Sequence, residues 1–284
     1  MIMFANDVLK GKKILVTGGG TGLGQSFTKR FVELGAEIVI CGRRKEVLED
    51  AVRQLQEAGG KAAFFVCDVR SSEAVERMFD EIWKNGPLDG LVNNAAGNFI
   101  ARTEQLSAKA FDSVLNIVLH GTAYCSLAAG RRWIAAGSKG TILSIITSAA
   151  WLGRPFTVPS AAAKAGVLAL MQSLAMEWGP KGIRTVAVSP GLFPTLGAWE
   201  RLYPDKALAD AQIKQVPLRR LGDHIELANL VSYLMSDFAS YINGDCINMD
   251  GGGSLQQGGG GSMAHLHDWT PAKWDEYRAK PVSK

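Results

Sequence analysis

The sequence predicts an α/β fold, built as a single doubly wound parallel sheet with helices on both faces. Apolar runs of strand length alternate with segments whose apolar residues recur at helical spacing, which is the pattern of consecutive βαβ units. A glycine-rich turn lies between the first apolar run and the first helical segment. At 284 residues the chain is long enough to bury one large core, so we expect one domain over residues 1–253.

The individual elements follow in order from the apolar pattern. Short apolar runs predict strands at residues 14–16, 37–41, 62–67, 88–93, 140–147, 184–189 and 245–249. Helical spacing predicts helices at residues 25–34, 45–58, 72–83, 108–135, 159–178 and 223–235. Residues 196–216 are predicted to form a small helical insertion.

The C-terminal segment 254–284 differs in composition from the domain before it. Residues 251–262 are rich in glycine, which predicts a flexible hinge. Residues 267–271 are typical of a helix start, and Trp274 and Tyr277 follow at a spacing of three. We interpret the segment as a hinge followed by a short docking helix, and a disordered tail is the alternative.

Composition and charge argue against several classes of function. The net charge is +4 and the basic residues are scattered, so no nucleic-acid surface is predicted. The start of the chain lacks a signal-peptide pattern, and no apolar run reaches the ~20 residues of a membrane span. No metal site is predicted, because the histidines show no ligand spacing to the cysteines. Reduced, buried thiols in a cytoplasmic protein are predicted for the widely spaced Cys41, Cys67, Cys125 and Cys246.

The glycine-rich turn spans residues 16–24, between a strand and a helix. This is the context that a dinucleotide-binding turn requires, because glycines let the backbone approach a pyrophosphate and the helix N-terminus offers free N–H groups. A plain flexible turn is the alternative, which the flanking elements disfavour. The turn therefore predicts a Rossmann-type nucleotide site whose first contacts are Gly18, Thr21, Gly22, Leu23 and Gly24.

The spacing Thr-Gly-x-x-x-Gly-x-Gly over residues 17–24 resembles the short-chain dehydrogenase/reductase family. The stretch Asn93-Asn94-Ala95-Ala96-Gly97 is similar to the family's Asn-Asn-Ala-Gly motif with one inserted alanine, and Ser189-Pro190-Gly191 is similar to its Pro-Gly turn. The resemblance implies a set of cofactor contacts. Asp68 and Val69 would contact the adenine, Asn93, Asn94 and Ala95 the adenosine side, Pro190 and Gly191 the nicotinamide, and Thr195 its carboxamide.

The end of the second strand predicts which nicotinamide cofactor binds. NAD sites usually place an acid there for the ribose 2′-hydroxyl. This chain has Arg43, Arg44 and Lys45 instead, with no acid before Glu46. Guanidinium groups pair well with phosphate oxygens. We therefore predict NADP(H), with Arg43 and Arg44 at the 2′-phosphate; a solvated helix start is the alternative.

The family's catalytic tyrosine is missing from this sequence. The family triad is Ser, then Tyr thirteen residues on, then Lys four residues later; here Thr147, Ser160 and Lys164 occupy those positions. A serine hydroxyl is a much poorer proton donor than a phenol, so ordinary carbonyl reduction is disfavoured. Ser160 and Lys164 share one helix face, and a plain helix cap is the alternative for Ser160. We expect Lys164 to contact the cofactor ribose.

One branch of the family, the 2,4-dienoyl-CoA reductases, does carry serine in the tyrosine position. The chain resembles that branch over residues 17–24, 93–100, 158–164, 177–179, 220–222 and 239–244, and at Trp274. The resemblance implies that Asn98, Ser160 and Lys164 take part in catalysis. The mitochondrial-type enzymes also have a tyrosine fifteen residues before the lysine, where this chain has Ala149. The peroxisomal type uses a water held by acidic residues, and Asp250 matches one of them; a structural turn is the alternative for Asp250.

The function predicted from this resemblance is NADPH-dependent reduction of a conjugated 2,4-dienoyl-CoA thioester. Two alternatives remain: another oxidoreductase of the family with a different acyl or cyclic substrate, and a catalytically silent nucleotide-binding protein. Trp151 and Trp199 are candidate pocket linings or core residues. The family also implies a homotetramer paired through helices 108–135 and 159–178, with an exposed apolar patch that includes Val167, Leu168, Leu170 and Met171.

Overall fold

The fold consists of a seven-stranded parallel sheet within the described residues. The computed structural model describes residues 7–195, 199, 205–257 and 260–279. The strand order is β3-β2-β1-β4-β5-β6-β7, and all neighbouring strands are parallel. The strands are β1 Lys13–Thr17, β2 Glu37–Gly42, β3 Lys61–Val66, β4 Gly90–Asn93, β5 Gly140–Ile145, β6 Ile183–Pro190 and β7 Cys246–Met249. The predicted doubly wound α/β fold is confirmed.

Helices connect the strands and cover both faces of the sheet. Their bounds lie within a few residues of those predicted from apolar spacing. They are α1 Gly22–Glu33, α2 Lys45–Glu57, α3 Ser72–Lys84, α4 Ala108–Leu115, α5 Gly121–Ala136, α6 Ala149–Leu152, α7 Val158–Trp178, α8 Lys206–Gln215, α9 His224–Met235, α10 Gly253–Gln257 and α11 Pro271–Ala279. The predicted helix 108–135 is interrupted by one π turn, Asn116–His120, between α4 and α5. The short helix α6 was not predicted.

Two apolar layers hold the sheet, one on each face. On one face Phe27 and Phe31 of α1 pack with the buried side of α9. On the other, Trp133 of α5 and Val167 of α7 belong to a second cluster. The central strands read as continuous apolar runs because both of their faces are buried.

The switch point of the sheet lies between β1 and β4, where the chain reverses its winding. In an open parallel sheet the crevice at such a point, outside the carboxyl ends of the strands, is where ligands bind. The glycine turn after β1 and the loops after β4, β5 and β6 all begin at this edge. The topology therefore brings the predicted site residues to one side of the molecule.

The glycine-rich segment 251–262 is more regular than predicted. Residues 253–257 form α10, and Gly260–Asp268 is a run of 3₁₀ turns. The Asp250 carboxylate holds the start of α10 by accepting hydrogen bonds from the N–H groups of Gly252 (2.9 Å) and Ser254 (2.8 Å). The helix predicted near Trp274 is present as α11, and none of its side chains is buried. The domain boundary at residue 253 stays a prediction.

The apolar patch expected on α7 is only partly correct. Val167 and Met171 are buried inside the chain's own core, whereas Leu168 and Leu170 are partly buried against it. These positions therefore alternate around the helix rather than forming one exposed surface. The oligomeric state stays a prediction. Residues 196–198 and 200–204 of the predicted insertion lie outside the described residues.

The described cysteines are free thiols, and most of them are buried. Cys41, Cys67 and Cys125 are buried free thiols, and Cys246 is half-buried. Burial raises the pKa of the Cys67 thiol to about 11, so it is protonated at neutral pH. Among the described helices, none combines the length and the apolar character needed to cross a bilayer.

Candidate active site

Two adjoining cavities open at the carboxyl edge of the sheet. The first, here called the glycine-turn cavity, extends from the turn after β1 to the ends of β2, β3 and β4. The second, the Asp250 cavity, lies between the loops after β5, β6 and β7 and the helix α8. The residues shared by both cavities mark their boundary: Leu23, Asn98, Ile145, Ile146, Thr147, Ser160, Phe193 and Thr195. Ser160 therefore lies at the boundary of the two cavities.

The glycine turn is fixed by backbone geometry that other residues do not fit. Gly18 and Gly22 have φ angles of +66° and +56°, in the left-handed region that favours glycine. A Cβ atom on Gly24 would lie 2.4 Å from the carbonyl oxygen of Gly18. Thr21 is the N-cap of α1 and makes no side-chain capping bond, so the first N–H groups of the helix are open to an anion.

The loop after β4 locks this turn in place. The Thr17 hydroxyl accepts hydrogen bonds from the backbone N–H groups of Asn94 and Ala95, both at 3.0 Å. The Asn94 side chain donates back to the carbonyl oxygens of Thr17 (3.0 Å) and Gly18 (3.3 Å). Asn94 and Ala95 both line the glycine-turn cavity, but the amide of Asn94 bonds the protein backbone, and their predicted contact with the cofactor stays a prediction.

Asn93 does not face the cavity, contrary to the expectation from the family motif. Its side chain is buried and donates to the hydroxyls of Ser126 (3.0 Å) and Ser144 (3.3 Å). Side chains alternate between the two faces of a strand, so neighbouring asparagines cannot both point into one cleft. Asn93 therefore joins β4 to β5 and α5, inside the core.

The far end of the glycine-turn cavity carries the basic residues predicted to select the cofactor. Arg43 and Arg44 line this end of the cavity and are exposed to solvent. Asp68 and Val69 line it as well, from the segment after β3. Asp68 is held by the guanidinium of Arg70, whose Nε lies 2.9 Å from Oδ1. The hydrogen bonds from Arg70, together with the charge of Arg43, lower the pKa of Asp68. This end of the cavity thus offers two cationic side chains, together with an ionised carboxylate that is already paired with Arg70.

Ser160 and Lys164 lie on the first turns of α7, with both side chains buried. The helix begins at Val158 with Thr157 as its N-cap, so Ser160 is inside the helix and is not its cap. The Lys164 ammonium donates to the carbonyl oxygen of Ile145 at the end of β5. Burial lowers the pKa of Lys164 to about 8. This arrangement supports the functional interpretation of Ser160 over the capping one.

Two further side chains at the boundary of the cavities, those of Asn98 and Thr147, are oriented by hydrogen bonds from backbone N–H groups. The Asn98 side-chain oxygen accepts from the N–H of Phe99 at 2.9 Å, which leaves its NH₂ group as the donor at the boundary of the cavities. The Thr147 hydroxyl accepts from the N–H of Ala149 at 3.0 Å. Ala149 lines the Asp250 cavity, so the position that carries tyrosine in the mitochondrial-type enzymes does face it.

Asp250 both holds the start of α10 through hydrogen bonds and lines the Asp250 cavity. Burial raises the pKa of its carboxyl, but the hydrogen bonds from Ser254 and Gly252 outweigh burial, and the net pKa is lowered. An ionised carboxylate of this kind accepts hydrogen bonds and can hold a water, but it is a poor acid itself. Pro190 and Gly191 pack beside it, and a Cβ on Gly191 would lie 2.6 Å from the Cα of Asp250. Both interpretations of Asp250 therefore have support in its contacts.

Several residues of the site were not predicted. Leu192 and Phe193 follow the Pro-Gly turn and line the Asp250 cavity, and their place after that motif was the available signal. The π turn brings Ile117 to the glycine-turn cavity, a shift that helical spacing could not reveal. Of the two tryptophans that could be pocket lining or core, Trp199 lines the Asp250 cavity, whereas Trp151 does not line it and is 42% exposed. Thr195, expected at the nicotinamide carboxamide, lines both cavities.

Comparison with known proteins places this geometry in a family. A family profile described as Enoyl-(Acyl carrier protein) reductase matches residues 18–254. A crystal structure of a short chain dehydrogenase from Bacillus anthracis superimposes with a TM-score of 0.79 at 41% identity, covering 94% of this chain and 100% of that one. The chain belongs to the short-chain dehydrogenase/reductase family.

Some similar members of the short-chain dehydrogenase/reductase family carry the names of specific activities. A probable 2,4-dienoyl-CoA reductase of Bacillus subtilis is 45% identical over 230 residues, which is 80% of this chain and 91% of that protein. A gluconate 5-dehydrogenase from Burkholderia cenocepacia, solved in complex with NADP and tartrate, has a TM-score of 0.83 at 30% identity and covers 88% of this chain and 98% of its own. This short-chain dehydrogenase/reductase is thus an oxidoreductase similar to the dienoyl-CoA reductases.

Proposed function

We propose that this protein reduces conjugated 2,4-dienoyl-CoA thioesters with NADPH. The observation that carries the proposal is a serine, not a tyrosine, one helical turn before the buried Lys164, at the boundary of the two cavities. The relatives named as 2,4-dienoyl-CoA reductases support the acyl-CoA substrate. Ordinary ketone reduction is disfavoured, because nothing at position 160 has the acidity of a phenol.

NADP(H) is the proposed cofactor, and the glycine-turn cavity has the features that it needs. The open helix N-terminus beside Gly22 and Leu23 suits a pyrophosphate, and Arg43 and Arg44 suit a 2′-phosphate. Asp68 and Val69 would hold the adenine, while Pro190, Gly191 and Thr195 would surround the nicotinamide. When bound, the cofactor supplies a hydride.

The chain's own residues have distinct roles in the proposed reaction. Lys164, whose ammonium donates to the carbonyl oxygen of Ile145, would hold the cofactor ribose. Ser160 and the NH₂ group of Asn98 donate hydrogen bonds to the thioester oxygen, where negative charge develops during reduction. Asp250 holds a water from which the α-carbon takes its proton. Fixed donors stabilise this charge without having to reorient, which is the largest single contribution in many enzymes.

The test is NADPH oxidation by the purified protein against three substrate classes. We expect turnover of a 2,4-dienoyl-CoA, and much weaker turnover of the matched 2-enoyl-CoA and of simple ketones. Preferred turnover of a ketone or cyclic substrate would favour another oxidoreductase of the family. Cofactor binding without turnover of any class would favour a catalytically silent protein.

The same proposal includes a homotetramer in the cytoplasm. Helices α4 to α5 and α7 are the proposed contact, with Leu168 and Leu170 partly accessible, although Val167 and Met171 are not. The free thiols of the described cysteines support a reducing compartment. Light scattering at micromolar concentration measures the assembly, and a monomer mass would contradict the tetramer.

A further inference from the structure

One histidine, His224, bridges two parts of the candidate site that are far apart in the sequence. It is the first residue of α9, and it is half-buried. Its Nδ1 lies 2.8 Å from the hydroxyl oxygen of Ser26 on α1, and its Nε2 lies 2.6 Å from the carbonyl oxygen of Pro194 in the loop after β6. The imidazole ring therefore connects the helix that follows the glycine turn with the loop that leads to Thr195.

The chemistry of the two partners decides which nitrogen of His224 carries the hydrogen. A carbonyl oxygen has no hydrogen to donate, so the Nε2–H group donates to Pro194. In the neutral imidazole Nδ1 is then an acceptor, and the Ser26 hydroxyl donates to it. The Ser26 oxygen also lies 3.3 Å from the carbonyl oxygen of Gly22, a longer contact. Both ring nitrogens are therefore engaged, and the ring sets the separation between α1 and the loop after β6.

The residue whose place depends on this bridge is Thr195. It directly follows Pro194, and it lines both cavities. A Cβ atom on Gly22 would lie 3.3 Å from Cγ2 of Thr195, so Thr195 packs against the glycine turn. A binding site works only when its residues are held to within about 0.5 Å of the productive geometry. A small shift of Pro194 would therefore change how Thr195 meets a ligand that is held at the glycine turn.

His224 is itself held firmly at the start of α9. Asp223 caps this helix, and its N–H donates to the carboxylate of Glu226 at 2.8 Å. Arg220 donates two hydrogen bonds to the same carboxylate, at 2.7 and 2.8 Å. Pro194, by contrast, lies in a loop, beyond the end of β6 at residue 190. The fixed side of the bridge is therefore α9, and the loop takes its place from the ring.

We propose that His224 positions the nicotinamide end of the cofactor, because it holds Pro194 and, through it, Thr195 at a fixed distance from the glycine turn. The proposal rests on NADP(H) as the cofactor of the proposed function. His224 does not line either cavity, so it acts through the loop and not by touching the cofactor. Loss of the ring is expected to weaken binding of the nicotinamide half and to leave the adenosine half unchanged. A residue that only stabilises the fold would affect both halves alike.

Two substitutions of His224 test the bridge from its two sides. In His224→Gln the side-chain amide reaches about as far as Nε2 and can still donate to Pro194, whereas in His224→Asn it reaches only about as far as Nδ1. We expect His224→Asn to lower NADPH affinity about five- to tenfold, the usual effect of one lost hydrogen bond, and His224→Gln to lower it less than threefold. Both variants are expected to bind adenosine 2′,5′-bisphosphate, which has no nicotinamide, as the wild type does. Fluorescence titration measures NADPH binding, and calorimetry measures the bisphosphate.

The control is a second hydrogen bond between the same two helices. The Arg30 Nε donates to the side-chain oxygen of Asn229 at 2.8 Å, which joins α1 to α9 without touching the loop after β6. Asn229→Ala is expected to keep the wild-type affinity for both NADPH and the bisphosphate. Thermal melting of the His224 and Asn229 variants shows whether their folds are equally stable.

The outcomes separate the role of His224 from the choice of cofactor. An equal loss of affinity for NADPH and for the bisphosphate in His224→Asn would overturn the proposal, because it would show a purely structural role. Unchanged NADPH affinity in His224→Asn, or an equal loss in His224→Gln and His224→Asn, would also overturn it. Binding of neither ligand by the wild type would instead contradict NADP(H) as the cofactor, and the positioning role with it.

Discussion

The two cavities are built by different means. The glycine-turn cavity is shaped by backbone: positive φ at Gly18 and Gly22, a close approach at Gly24, and hydrogen bonds centred on Thr17. The Asp250 cavity is shaped largely by side chains from the loops after β5, β6 and β7 and from α8. A site built from backbone geometry tolerates few substitutions, so its glycines keep a recognisable spacing in the sequence. A cavity lined by side chains can change its chemistry through single substitutions. Under the proposed function, we therefore expect the first cavity to determine the cofactor class and the second to determine the reaction.

The sharpest test of the Asp250 cavity is the pair Asp250→Asn and Ala149→Tyr. If a water held by Asp250 supplies the proton, Asp250→Asn is expected to lower kcat by on the order of 10²-fold, the usual contribution of a positioned acid–base group. Ala149→Tyr is then expected to change turnover little or to lower it by crowding the cavity. Steady-state kinetics with one dienoyl-CoA measures both variants.

The control for this pair is Asp245→Asn. Asp245 precedes β7 and accepts a hydrogen bond from the N–H of Cys246 at 2.7 Å, but it does not line the cavity. Thermal melting of Asp250→Asn shows whether the variant has lost the turn at residue 250. An unchanged melting temperature would assign the fall in kcat to the chemistry. A large gain in Ala149→Tyr with no effect of Asp250→Asn would instead support a tyrosine-dependent route that this chain has lost. No effect of either variant would exclude both routes.

A test of the glycine-turn cavity concerns Arg43 and Arg44. Both are exposed, so each contact with a 2′-phosphate is expected to be worth less than a buried one. We expect wild-type protein to bind NADPH more tightly than NADH, and the double variant Arg43→Ala/Arg44→Ala to reduce this preference by about tenfold or more. Fluorescence titration with both cofactors measures the ratio, and an unchanged ratio would assign selectivity to other residues.

Lys164 lines the glycine-turn cavity, one helical turn after Ser160, which borders both cavities. Its ammonium is fully present well below pH 8 and is lost as pH rises through the lowered pKa of about 8. We expect NADPH affinity to fall above that pH by up to about tenfold per pH unit, the limit for release of one proton. Titrations from pH 7 to 9.5 measure this effect. Lys164→Met removes the titrating group, so a pH step of the same size in that variant would exclude Lys164 as its source.

The sequence predicted the glycine-turn cavity, which backbone geometry shapes, better than the Asp250 cavity, which side chains shape. The parallel sheet and its strand positions followed from apolar spacing, and the glycine turn followed from the spacing of its glycines, whereas the strand order was not predicted. Asn93 was misplaced because the motif was transferred as a block, whereas alternation along β4 directs Asn93 inward and leaves Asn94 at the cavity. The patch on α7 was partly wrong because Val167 and Met171 face the core, and only packing shows which side of a wholly apolar helix is covered.

The hydrogen bonds from Asn94 and Ala95 to Thr17 also set an order of events in biosynthesis. The glycine turn can first close when the ribosome has released β4, whereas the Asp250 cavity waits for β7 near the end of the chain. At ~5–20 residues per second, roughly 10–30 s of synthesis separates the two. The residues that bond the glycine turn are thus synthesised well before the last residues of the Asp250 cavity.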